Sequence, residues 1–140
     1  MWEKFGVSDF NLLPANIRWS FQKEALLTQI DIEDDRLDGF ISDRSVLDIL
    51  AYAQVSSFGD DTDKKLFEKL VRERLKNYTH LVYCPIEFEF EARELRANQE
   101  TRKPVDMAIK KYLQTIPEIK NIKLIKVSGT PDQRLKQVTD

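Results

Sequence analysis

FISDRSVLDILAYA, residues 40–53, passes from an apolar run into two opposite charges and then into a pattern of helical period. Bounded by Gly39 and Asp43, FISD is too short for a helix, and its apolar content predicts a strand. Ser45 and Asp48 fit the S-x-x-D capping signature, so a helix is expected from Ser45, with Val46, Ile49, Leu50 and Ala53 facing inward. A buried strand ending at Asp43 and Arg44 sets a carboxylate and a guanidinium where open α/β sheets bind their ligands.

Working outward, PANIRWSFQKEALLTQI at 14–30 begins with a helix-starting proline and spaces Ile17, Phe21 and Ala25 at intervals of four, which predicts a helix with those residues inward. DIEDDRLDG reads as an acidic turn-forming connection. Beyond SSFGDDTD, residues 63–77 place Phe67, Leu70, Val71 and Arg74 on one stripe, with Asp63 as the expected N-cap. HLVYCPI, ended by Pro85, has the composition of a strand buried on both faces of a parallel sheet, and IEFEFE alternates at period two. Residues 104–116 set Val105, Ile109, Tyr112 and Ile116 at helical spacing behind Pro104. NIKLIKVSG then alternates into a last strand before a short helix from Asp132.

Strands separated by helices predict an α/β layer with right-handed parallel crossovers. The chain has 140 residues, 33% of them charged, with no internal repeat and no low-complexity linker, so residues 1–140 are expected to form a single domain. A net charge of -2 gives no long-range attraction for a nucleic-acid backbone, and no nucleic-acid partner is expected. Cys84 is the single cysteine and His80 the single histidine, which excludes an internal disulfide and a Cys/His zinc site. Cys84 is expected as a buried small hydrophobe inside its strand. No apolar run approaches the roughly 18 residues of a membrane span, and MWEKFGVSDF lacks the charged-then-apolar order of a signal peptide. A cytoplasmic protein without membrane contact is the expectation.

Three constellations fall at the expected strand ends. In Asp43-Arg44-Ser45 the carboxylate suits a magnesium-bound water or a substrate hydroxyl, and the guanidinium suits phosphate oxygens. The alternative is a solvated strand terminus with Ser45 only capping its helix. In EARELRANQETRK, residues 91–103, Arg93, Arg96 and Arg102 suit a lid-like helical segment closing over a triphosphate. The alternative is an exposed helix laced with Glu-Arg pairs. In VSGTPDQR, Gly129 and Thr130 form a small-residue loop that lets backbone approach a purine, with Arg134 stacking on it; a plain strand-to-helix turn explains it equally well.

Taken together, FISDRSVLDILAYA, HLVYCPIEFEFE, the arginine-rich run ending in ETRKPVDMAIKKYL, and IKLIKVSGTPDQR resemble the AAA-type P-loop ATPases related to ribosylnicotinamide kinase domains. More distantly, they are similar to deoxynucleoside and thymidylate kinases. The resemblance spans about Trp2 to Arg134, with DRSxLDxLAY its most specific part. It implies a three-layer α/β/α P-loop kinase-like fold with a parallel sheet, ATP and Mg2+ as ligands, and a small nucleoside-like or phosphorylated acceptor. On it, Asp43 takes the magnesium or base position and Arg44 a phosphate contact. Arg93, Arg96 and Arg102 fall in the lid, while Gly129, Thr130 and Arg134 lie at the adenine side.

One departure limits the resemblance. Such proteins open with a strand and a G-x-x-x-x-G-K-[ST] loop whose amides and lysine hold phosphates. Here the four glycines, 6, 39, 59 and 129, are followed by Val7, Phe40, Asp60 and Thr130, so no such loop is present in these residues. Met1 falls where the family has already passed its first two strands. The expected sheet therefore lacks its phosphate-loop strand, and catalysis is expected to be incomplete. The alternative function is a non-catalytic binding or regulatory domain that recognises a phosphorylated ligand or a protein partner.

Overall fold

A computed structural model describes residues 13–36, 38–56, 59–85 and 99–139. In chain order it contains α1 (Ala15–Asp34), α2 (Val46–Ser56), α3 (Asp61–Leu75), β1 (His80–Tyr83), α4 (Gln99–Thr115), a 3-10 turn (Pro117–Asn121), β2 (Lys123–Lys126) and α5 (Pro131–Thr139). The described chain is mostly helical, with one parallel pair of strands.

Pro14 stands directly before α1, and its carbonyl accepts from Ile17 and Arg18. The helix buries Trp19, Gln22, Leu26 and Glu33. This face is turned from the expected one, and Ala25 is exposed. Turning it places the larger apolar area of Trp19 against Phe67, ring centroids 5.3 Å apart, and seats Leu26 fully in the core. The helix also continues through Asp31 to Asp34, residues expected as a turn. Glu33 and Asp34 there reach Arg74 of α3, at 3.8 and 2.6 Å.

The second helix is the centre of the molecule. It packs against α1, α3 and α4, and Val46, Leu47, Leu50, Ala51 and Ala53 are buried around its circumference. A helix apolar on most sides is one enclosed by neighbours. Its start follows the sequence signature: Ser45 donates its backbone N–H to Asp48 Oδ2 at 2.7 Å, and Leu47 N donates to Ser45 Oγ at 3.1 Å. In α3 the cap is Asp60 rather than Asp63; the two form a reciprocal capping box that satisfies both backbone donors. Phe67, Val71 and Leu75 face inward.

Two expectations about strands are corrected. Phe40–Ser42 belongs to no strand, and Ile41 is fully exposed. A strand exists through its ladder, and among the described residues no neighbour offers these three a backbone hydrogen bond. In turn, β1 is covered on one side only: Tyr83 is buried, His80 and Val82 are exposed, and Cys84 is exposed rather than buried. The parallel orientation is as expected, and β1 runs beside β2 in the register His80 to Lys123 through Tyr83 to Lys126. The helix expected at 104–116 starts earlier, so Pro104 lies inside α4. The alternating run IEFEFE lies outside the described residues. Among the described residues, no helix is long and apolar enough to cross a membrane.

Candidate functional site

The corner between residue 39 and α2 is held by a chain of polar contacts. Tyr78 Oη donates to Glu33 Oε2 at 2.7 Å and accepts from Val46 N at 3.2 Å. Gln29 Nε2 reaches both Glu33 Oε2, at 2.9 Å, and Ser42 Oγ, at 3.2 Å. Ser42 Oγ in turn donates to the Arg44 carbonyl at 2.7 Å. The side chain of Glu33 is 1% exposed, with Arg74 Nε 3.8 Å from its second oxygen, which has no hydrogen bond. Burial, and after it the bond to Glu33, pushes the Tyr78 phenol well above its ordinary range.

Arg44 sits at the apex of this corner with φ at 74°, the only described residue other than glycine with a positive φ. For a residue with a Cβ this conformation costs about 1–2 kcal/mol, and such residues concentrate at functional sites. Its guanidinium carbon lies 5.8 Å from the centre of the Tyr52 ring. Asp43 is exposed and has no hydrogen-bond or ion-pair partner among the described residues, whereas Asp48 is committed to the cap. A carboxylate with open coordination therefore stands beside an arginine held in a fixed backbone conformation.

The corner opens onto a cavity of about 710 Å³ that runs between residues 39–45 and 77–84. Its floor includes Leu47, Ile109 and Leu113. At its wall Tyr83 Oη donates to Asp106 Oδ1 at 2.7 Å, and Lys110 Nζ lies 3.3 Å from the other oxygen. Burial, then the bond to Asp106, raises the Tyr83 phenol above its ordinary range. The volume falls within the range of small-molecule pockets.

The expected site residues divide into three groups. Asp43 and Arg44 line the cavity. Arg102 is partly buried on α4 but does not line it, and Arg93 and Arg96 lie outside the described residues, as does most of the expected lid at 91–103. Gly129, Thr130 and Arg134 do not line the cavity and belong to one turn. Gly129 takes φ of 93°, Thr130 exchanges hydrogen bonds with Gln133, and Arg134 Nε donates to the Gly129 carbonyl at 3.0 Å. That is the capping geometry of a strand-to-helix connection. Among the described residues no group of three or more His, Cys, Asp or Glu side chains could hold a metal ion.

Glu33, Tyr78, Tyr83 and Asp106 belong to the corner and the cavity wall without having stood out in the sequence. Glu33 is one of four acids in DIEDD, and nothing in that run marks the one that is buried. No family model, no curated protein and no solved structure matches the chain.

Proposed function

We propose that this chain is a nucleotide-binding domain of the P-loop nucleoside-kinase type, with a three-layer α/β/α ancestry, that is catalytically incomplete by itself. The observation that carries the reading is Arg44, held at positive φ beside the open carboxylate of Asp43 at the mouth of a cavity of ligand size. The parallel β1 and β2, joined through α4, support the same fold class.

The residues present fit ATP with magnesium in a limited way. Mg2+ retains several waters and is held by one or two carboxylates together with substrate phosphates, so a single carboxylate such as Asp43 is an adequate protein ligand. Arg44 would fork onto phosphate oxygens. The metal, when bound, supplies charge neutralisation at the phosphates. The 140 residues contain no glycine-rich loop with a lysine to position the transferred group, and positioning is most of phosphoryl-transfer catalysis. Binding without turnover is the expected behaviour.

Titration calorimetry with ATP, in the presence and absence of Mg2+, tests this directly. Weak magnesium-assisted binding is expected, reduced about tenfold in Arg44→Ala through loss of a charged hydrogen-bond pair. Release of phosphate should stay at the buffer rate. The absence of binding to ATP and to pyrophosphate at millimolar concentration would refute the nucleotide reading, and magnesium-dependent turnover would refute its catalytic incompleteness.

A further inference from the structure

The cavity beside β1 is flanked by two stretches of backbone that lack hydrogen-bond partners among the described residues. Thr79 O and Tyr83 O both accept from the β2 side, from Lys123 N at 3.0 Å and Val127 N at 3.1 Å. Along a parallel ladder alternate residues aim their N–H and C=O groups at opposite neighbours, so His80 and Val82 aim theirs away from β2. No strand lies on that edge among the described residues, because the sheet has the order β1-β2 and ends there. Across the cavity, Phe40, Ile41 and Ser42 are likewise without backbone hydrogen bonds among the described residues, with Phe40 and Ile41 exposed.

We infer that this groove accepts an extended β-strand from another polypeptide, seated against the free edge of β1 with residues 40–42 on its other side. Two arguments specify that strand. A two-stranded sheet is marginal and an open edge of unpaired donors and acceptors is a template for a further strand, which peptide-binding domains exploit. Apolar side chains at Phe40, Val82 and Leu124 require an occupant with β-branched or apolar residues. Charge complementarity adds the second element. The groove is lined by the carboxylates of Asp43, Asp48 and Asp106 and by the cation of Arg44; Asp48 is held in the cap and Asp106 by Lys110, and Asp43 has no partner among the described residues. A lysine or arginine next to the apolar residues of the strand would pair with it. The backbone edge is a feature separate from the phosphate reading; only the preference for a basic residue draws on Asp43, which that reading also uses.

The probe is the peptide VTVTVK-amide carrying fluorescein on its N-terminal amine, read by anisotropy on the full chain. Protection of Cys84, the single thiol and exposed at the groove, from a thiol-reactive dye gives a second readout. Saturable binding with slower Cys84 labelling is expected, weakened about tenfold when the peptide lysine is replaced by glutamate, a preference that Asp43→Asn should remove. Val82→Pro deletes a groove-facing N–H while sparing the β2 ladder, and should abolish binding with the circular-dichroism spectrum retained. A peptide N-methylated at its central valine makes the same test without altering the protein. Equal binding of the N-methylated peptide, or no binding of either, would overturn the inference. So would dimerisation of the free chain that Val82→Pro dissolves, since a second copy would then be the occupant.

Discussion

The Tyr78 hydroxyl donates to Glu33 over 2.7 Å and accepts from the Val46 backbone over 3.2 Å, so one phenol joins the end of α1 to the start of α2. Removing it takes one of two hydrogen-bond donors from the buried Glu33 carboxylate and leaves the helix-terminal N–H of Val46 without its acceptor. Tyr78→Phe should therefore lower stability by about 1–3 kcal/mol, the range for a buried polar group left unpaired. Urea unfolding measures it. Adding Glu33→Ala to Tyr78→Phe should have less effect than Glu33→Ala alone, because the two share one interaction. Simple additivity would show that the corner is held by something other than this bond.

Alkaline pH should unfold the protein through its tyrosines. Tyr78, Tyr83 and Tyr112 have an ordinary value of 10.0, and burial is the leading cause that raises all three, Tyr112 to about 12. A phenol that ionises near 10 when unfolded and only at higher pH when folded favours the native state in its neutral form. The stabilisation is complete below pH 10 and is lost as pH rises through the folded values. Stability by urea titration should be insensitive to these groups from pH 8 to 9.5 and then decline. The decline should be shallower in Tyr78→Phe and Tyr83→Phe, and an unchanged slope in both would assign it elsewhere.

The same corner shows what a sequence can display. The capping pair Ser45 and Asp48 is local, four residues of backbone geometry, and the structure forms it as the spacing indicates. The parallel orientation of HLVY and KLIK was also legible from composition and from the helix between them; that these two segments are direct neighbours was not. The state of FISD was not. Its apolar content is that of a strand, but strand formation depends on a neighbour from anywhere in the chain or outside it, and Ile41 stands exposed. Glu33 illustrates a second limit. Its burial is decided by Tyr78, 45 residues away, and by Arg74 on a different helix, neither of which leaves a periodic trace.

Because α2 is enclosed by α1, α3 and α4, truncation at its centre should be the most damaging change in the chain. Leu50 is fully buried, and Leu50→Ala should remove about 2–5 kcal/mol, the loss of transfer energy plus the void that remains. Leu70, expected inward from the α3 stripe but 36% exposed, should lose much less on the same substitution. Thermal unfolding of the two variants checks the order. Equal losses would mean that α3 buries the face the sequence suggested and that Leu70 is part of the core.

Arg44 is where stability and binding should separate. At φ of 74°, arginine or alanine bears a steric cost of about 1–2 kcal/mol that glycine does not. Glycine gives up more chain freedom on folding, about 0.5–1 kcal/mol, so the net advantage of Arg44→Gly over Arg44→Ala should be about 1 kcal/mol. Both lose the guanidinium contact with the Tyr52 ring, which cancels from the comparison. Both should also lose the affinity for ATP attributed to the guanidinium, leaving a glycine variant that is the more stable of the two and no better at binding. Urea denaturation and calorimetry on the pair read the two quantities independently. If the alanine variant is as stable as the glycine variant, the corner relaxes at little cost and the left-handed conformation of Arg44 is not a strained element of the site.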